Sequence, residues 1–143
     1  MGCDIHMVIE REVEPGRWLL LRTFDGFRTG RSSPHGLDYA VPVARMENYA
    51  RFAALAGVRG DGPAPRGLPD DVCPSTAHIV ERDSGHSHSW LPLPDATAIF
   101  FRTQSWHQDL TGFDRNHPNY FFWGLEEDEL AEFNHRLVFW FDS

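Results

Sequence analysis

Hydrophobic and polar residues alternate from the third position. Cys3, Ile5, Met7 and Ile9 share one parity, and Asp4, His6, Val8 and Glu10 share the other. A period of two with β-branched content predicts a strand with one face in the core. Glu14-Pro15-Gly16 reads as a turn and Trp18-Leu19-Leu20-Leu21 as the returning strand, so residues 4–24 are expected to form a hairpin. Residues 25–43, rich in Gly, Ser, Pro and Arg, read as an ordered loop. Tyr49, Phe52, Ala53 and Ala56 then recur at i, i+3, i+4 and i+7, which predicts a helix over 45–56 ended by Gly57, with Tyr49 in the core.

Residues 59–72 form a long connection carrying Gly60, Gly62, Pro63, Pro65 and Gly67. Pro74 suits the first position of a helix to about Arg82, and Gly85 breaks it. His86-Ser87-His88-Ser89-Trp90 reads as extended. A helix from Pro94 is favoured over a strand through Ile99-Phe100-Phe101, and residues 102–124 look irregular. Glu126–Phe133 carries its acids in the first turn, where the helix dipole favours them. The run Arg136-Leu137-Val138-Phe139-Trp140-Phe141 is apolar at both parities, so this last strand should be covered on both faces. The expected architecture is one α+β domain over 1–143. It has a small antiparallel or mixed sheet, adjacent N- and C-terminal strands, helices packed on the sheet and long ordered loops.

Composition supports that reading. A chain of 143 residues with 41% hydrophobic and 13% aromatic residues is globular in character. One domain of this size buries roughly two-thirds of its unfolded surface. No apolar run reaches the roughly 20 residues of a membrane span, and the acid-bearing start is no signal peptide, so a cytoplasmic location is expected. Cys3 and Cys73 make no disulfide framework and are expected as reduced thiols. The 13 basic against 21 acidic side chains leave a net charge of −8, which disfavours broad nucleic-acid binding. A small anionic ligand held by local arginines, or a host protein with a basic surface, stays open as a partner.

Asp4 and His6 lie two apart on a strand, so their side chains share a face roughly 6.6 Å apart along the chain. Such a pair can ligate a metal or act as an acid/base couple; solvated or hydrogen-bonded neighbours are the plainer reading. His86 and His88 share a face if their stretch is regular, with Gly85 lending freedom and Trp90 a wall. The plainer reading there is a polar loop. Together Asp4, His6, His86 and His88 would suit zinc or another divalent first-row metal. Asp83 would orient an imidazole, and His86 and His88 could instead serve as acid and base. Cys3 falls on the opposite face, as a core thiol. Arg51, Arg59 and Arg66 among glycines can grip a phosphate or carboxylate, with Asn48 beside them, although solvation is the commoner role. Ser105-Trp106-His107-Gln108-Asp109, Asp114, His117 and Asn119-Tyr120 make a polar, aromatic surface run.

Met1-Gly2-Cys3-Asp4-Ile5-His6, the stretch Asn48-Tyr49 to Val58-Arg59, Arg66-Gly67-Leu68-Pro69, Gly85-His86-Ser87-His88-Ser89-Trp90-Leu91 and Val138-Phe139-Trp140-Phe141-Asp142 carry a resemblance. The chain resembles uncharacterised proteins of bacteriophages and prophages that begin with the same hexapeptide. The likeness covers most of the chain and is weakest over 102–124. Those proteins usually carry Asp-Gly before His-Ser; here Ser84 precedes Gly85 and Asp83 stands one place earlier. The resemblance implies a phage-associated origin and no established activity. Two functions are expected from residues and resemblance together. The first is a metal-assisted hydrolase acting on a nucleotide or phosphoester, with Arg59 or Arg66 binding the anion. The second is a non-enzymatic binding protein, either an inhibitor of host defence or a sponge for a signalling nucleotide.

Overall fold

A computed structural model describes residues 3–24, 49–103, 123 and 125–142. Strands β1 (Asp4–Glu14) and β2 (Arg17–Phe24) form the N-terminal hairpin. Helices α1 (Tyr49–Ala56) and α2 (Pro74–Arg82) follow, then β3 (His86–Pro92) and α3 (Leu93–Arg102). Helix α4 (Glu127–Glu132) and β4 (His135–Asp142) complete the described chain. The sheet is antiparallel in the order β2-β1-β4-β3, so the N- and C-terminal strands are neighbours, as their patterns require.

The alternation of β1 sorts its side chains as expected. Cys3, Ile5, Met7 and Ile9 enter one core with Phe52 and Leu55 of α1, Leu93, Ala96 and Phe100 of α3, and Leu137, Phe139 and Phe141 of β4. Val8, Val138 and Trp140 enter a second, smaller core on the other face, closed by Leu68 and by Ile79 and Val80 of α2. Every residue of β4 from His135 to Phe141 is therefore buried, which accounts for its unbroken apolar run.

Local chemistry explains the helix ends. Pro74 is accepted at the start of α2 because an N–H there has no helical partner to lose. Gly57 ends α1 at φ +69°, and its N–H reaches the Ala53 carbonyl at 2.8 Å. Glu126 and Glu129 form a capping box at the start of α4.

Two expectations for α1 are corrected. Tyr49 is 46% exposed rather than in the core; its ring meets Phe52 and lies under the Arg59 guanidinium. Arg51 is 1% exposed and serves the fold rather than a surface anion site. It donates to Thr103 Oγ1 at 2.9 Å and to the Phe100 carbonyl at 3.0 Å, and its guanidinium lies 4.3 Å from the Phe100 ring centre. Burial holds its pKa down at about 10. Among the described residues no helix is long and apolar enough to cross a membrane.

Candidate functional site

Register places Asp4 opposite Asp142 and His6 opposite Trp140 on β1 and β4. His6 is partly buried, with both ring nitrogens facing carboxylates. Nε2 hydrogen-bonds Asp142 Oδ2, and Nδ1 lies 3.9 Å from Asp83 Oδ2. An ionised carboxylate only accepts, so the bond to Asp142 puts the proton of a neutral ring on Nε2. Asp83 stands just past the end of α2 and also accepts the Trp140 indole N–H at 3.2 Å. The indole is stacked on His6, with ring centres 5.8 Å apart and planes 13° apart.

A pocket of about 240 Å³ opens beside this group, lined by His6, Asp83, Trp140, Thr23, Phe24 and Ile79 among others. Asp83 lines it and Asp142 does not, so the Nδ1 edge of the ring faces the pocket. Asp83 is exposed, His6 partly so, and Trp140 buried. The result is a rigid indole wall, a half-sheltered imidazole and a carboxylate at the mouth.

The expected four-residue metal set does not assemble around this point. His88 stacks on Trp140 from the β3 side, with ring centres 6.2 Å apart, while His6 stacks from the β1 side. Because β4 lies between β1 and β3, the indole separates the two imidazoles. His86 and His88 also fail to share a face. Ser87 adopts φ +56° within a register shift between His86 and Ser89, so His86 pairs with Phe141 and contacts its ring on the other face. Among the described residues, no group of three or more His, Cys, Asp or Glu could hold a metal ion.

The remaining candidates are dispersed. Arg66 lies 5.1 Å from the Trp90 ring centre, its backbone N–H donates to Ser89 Oγ at 3.0 Å, and Gly67 N–H donates to the His88 carbonyl at 2.8 Å. That connection therefore straps the outer edge of β3. Arg59 stands beside Tyr49 and Cys3. Burial pushes the Cys3 thiol pKa up against the smaller opposing effect of Arg59, as suits a core thiol. Cys73 is buried too, and its N–H donates to Glu10 Oε2 at 3.0 Å. Burial, and then the neighbouring His86, hold the His88 pKa down, and His88 Nε2 has no hydrogen-bond partner among the described residues. Asn48 and the polar run from Ser105 to Tyr120 lie outside the described residues.

Helix α2 ends at Arg82 with Asp83 as its extended C-cap, two residues before Gly85, whose role is in packing. A Cβ there would come within 2.5 Å of Trp140 Cδ1 and 3.1 Å of the Phe141 carbonyl. Since Trp140 is fixed between two imidazoles, Gly85→Ala is expected to cost about 1–3 kcal/mol. It should also disturb the indole bond to Asp83. Chemical denaturation together with the NMR signal of the Trp140 indole N–H checks both effects.

At the other end of β4, His135 is 6% exposed; its Nε2 accepts Arg11 Nε–H at 3.0 Å. Burial first, then the charge of Arg11, hold its pKa down at about 4, against 6.5 for a free imidazole. The unfolded chain therefore takes up this proton before the folded one. Stability is full above about pH 6.5 and falls as the pH drops toward about 4, by up to about 3 kcal/mol from this residue. Urea unfolding across that range should show the slope, and His135→Gln should flatten it.

Comparison with family models, with curated proteins and with solved structures finds no match for the chain. The functional reading rests on the side chains themselves. Sequence reasoning singled out Asp4, His6 and Asp83 but missed Asp142 and Trp140, which join them only through strand register.

Proposed function

We propose that the protein is a small hydrolase in which His6 is the general base, acting at the pocket between β1, α2 and β4. One observation carries this reading: the two nitrogens of His6 face different carboxylates, Asp142 outside the pocket and Asp83 on the pocket edge. Asp142 holds the Nε2 proton and leaves the Nδ1 lone pair toward the pocket. The 3.9 Å between Nδ1 and Asp83 Oδ2 is too long for a direct hydrogen bond, and a small outward turn of the exposed Asp83 side chain admits one bridging water. As the oxygen of that water bonds to an acyl carbon, its proton passes to Nδ1. The imidazolium so formed lies between two carboxylates, and it returns the proton to the leaving group as the acyl bond breaks.

The pocket also favours a substrate class. Among the described residues its lining contains no arginine or lysine, and Asp83 adds negative charge at its mouth. Arg59 and Arg66 have their contacts elsewhere. A neutral or cationic ester fits better than the nucleotide or phosphoester expected from sequence. The metal-assisted route has less support, because Trp140 stands between His6 and His88. A panel of neutral, cationic and anionic chromogenic esters tests the proposal. Turnover above buffer is expected for neutral or cationic members and should depend on His6. Equal rates for wild type and His6→Asn across the panel would sink it.

A further inference from the structure

A second concavity lies at the opposite end of β4 and takes no part in the chemistry above. It has a volume of about 450 Å³, within the range of small-molecule sites of about 300–1,000 Å³. Trp18, Trp90, Phe133, Pro92, Pro94 and Leu130 supply its apolar walls. They come from β2, β3, the start of α3, α4 and the approach to β4, so five separate parts of the fold converge on one space.

The polar side chains of Arg136, Thr97, Asn134 and His135 at the wall are already committed. Arg136 is 3% exposed in its side chain; its Nε and Nη2 each lie 2.7 Å from Glu10 Oε1, and its Nη1 lies 2.7 Å from Asp71 Oδ1. Its guanidinium stands 3.9 Å from the Trp18 ring centre and 5.7 Å from that of Trp90. Thr97 donates to the Leu93 carbonyl at 2.8 Å and accepts the Trp123 indole N–H at 2.7 Å. Asn134 Nδ2 donates to Glu12 Oε1 at 2.9 Å, and His135 Nε2 accepts from Arg11. An anion entering here would lose water and find a guanidinium already neutralised by two carboxylates. A ring system would gain contact with two indoles, a phenyl ring and two prolines.

We infer that this cleft is a binding site for a neutral, flat aromatic molecule of two or three rings. The site is independent of the His6 pocket, which lies four residues further along β4 on the approach to Asp142, roughly 13 Å away along the strand.

Two fluorescent probes with one ring skeleton test this: N-phenyl-1-naphthylamine, which is neutral, and 8-anilino-1-naphthalenesulfonate, which is anionic. The neutral probe is expected to bind at least about tenfold more tightly, because among the described residues the only Arg or Lys lining the cleft is Arg136, already paired with Glu10 and Asp71, so the sulfonate would be desolvated without an unpaired cation. Leu130→Trp, which fills the cleft, should weaken the neutral probe by at least about tenfold. On the wild type, the neutral probe should shift the indole N–H signals of Trp18 and Trp90, a readout that does not depend on the variant folding. The inference is overturned by equal or tighter binding of the sulfonate, by no binding of the neutral probe, by undiminished binding to folded Leu130→Trp, or by unmoved Trp18 and Trp90 signals.

Discussion

Replacing His6 with asparagine is expected to lower kcat/KM for a hydrolysed ester by about 10²–10⁴-fold, the usual contribution of a positioned general base. Asparagine keeps an N–H for Asp142 but brings no basic nitrogen to the pocket. His6 is partly exposed and on the rim of the smaller core, so its loss should cost little stability. Melting temperature therefore serves as the control, and the loss should appear in kcat rather than KM. Asp142→Asn is expected to give a loss of the same order by another route. An amide at 142 can donate to Nε2, which moves the ring proton to Nδ1 and removes the lone pair from the pocket edge. Asp83→Asn should cost less, because an amide oxygen still accepts the Trp140 indole N–H and can still hold a water.

The largest effect on stability is expected from Arg136→Met, at about 3–5 kcal/mol. Glu10 is fully buried, and its carboxylate is held by Arg136 and by the Cys73 N–H. Without the guanidinium, the charge of Glu10 stays in a site that excludes water, and the Trp18 ring loses its cationic partner. Hydrogen bonding to Arg136 holds the Asp71 carboxyl pKa below its ordinary range. Asp71 is half-exposed and can turn to solvent, so Glu10 dominates the cost. Glu10→Leu combined with Arg136→Met should recover most of the loss, because an apolar pair of similar volume needs no charge compensation. Urea unfolding of the single and double variants measures the cycle, and a single-variant loss below about 1 kcal/mol would count against this account of Glu10.

The parts of this fold visible in the sequence are those set by a single period. The alternation through Cys3, Ile5, Met7 and Ile9, the unbroken apolar run of β4 and the Pro74 start of α2 all follow from local pattern and appear in the structure. The site needed more than period. Asp142 reads as a strand end until register sets it beside His6. Trp140 reads as core, which it is, yet its indole N–H also fixes Asp83. The H-x-H stretch misled because alternation assumes a regular strand. Ser87 adopts a left-handed backbone that serine rarely takes, and one such residue turns His86 away from His88. Arg51 carried the opposite ambiguity: a charged side chain suggests the surface, whereas the Thr103 hydroxyl and the Phe100 carbonyl and ring satisfy it inside.

The central claim is that Asp142 fixes one proton on Nε2 of His6 and turns a bare Nδ1 to the pocket. Long-range ¹H–¹⁵N correlation spectra of the imidazole, recorded where the ring holds a single proton, test it directly. The account predicts that proton on Nε2 in the wild type and a shift of the population toward Nδ1–H in Asp142→Asn. A wild-type ring protonated on Nδ1, or a tautomer that ignores the change at position 142, would contradict it.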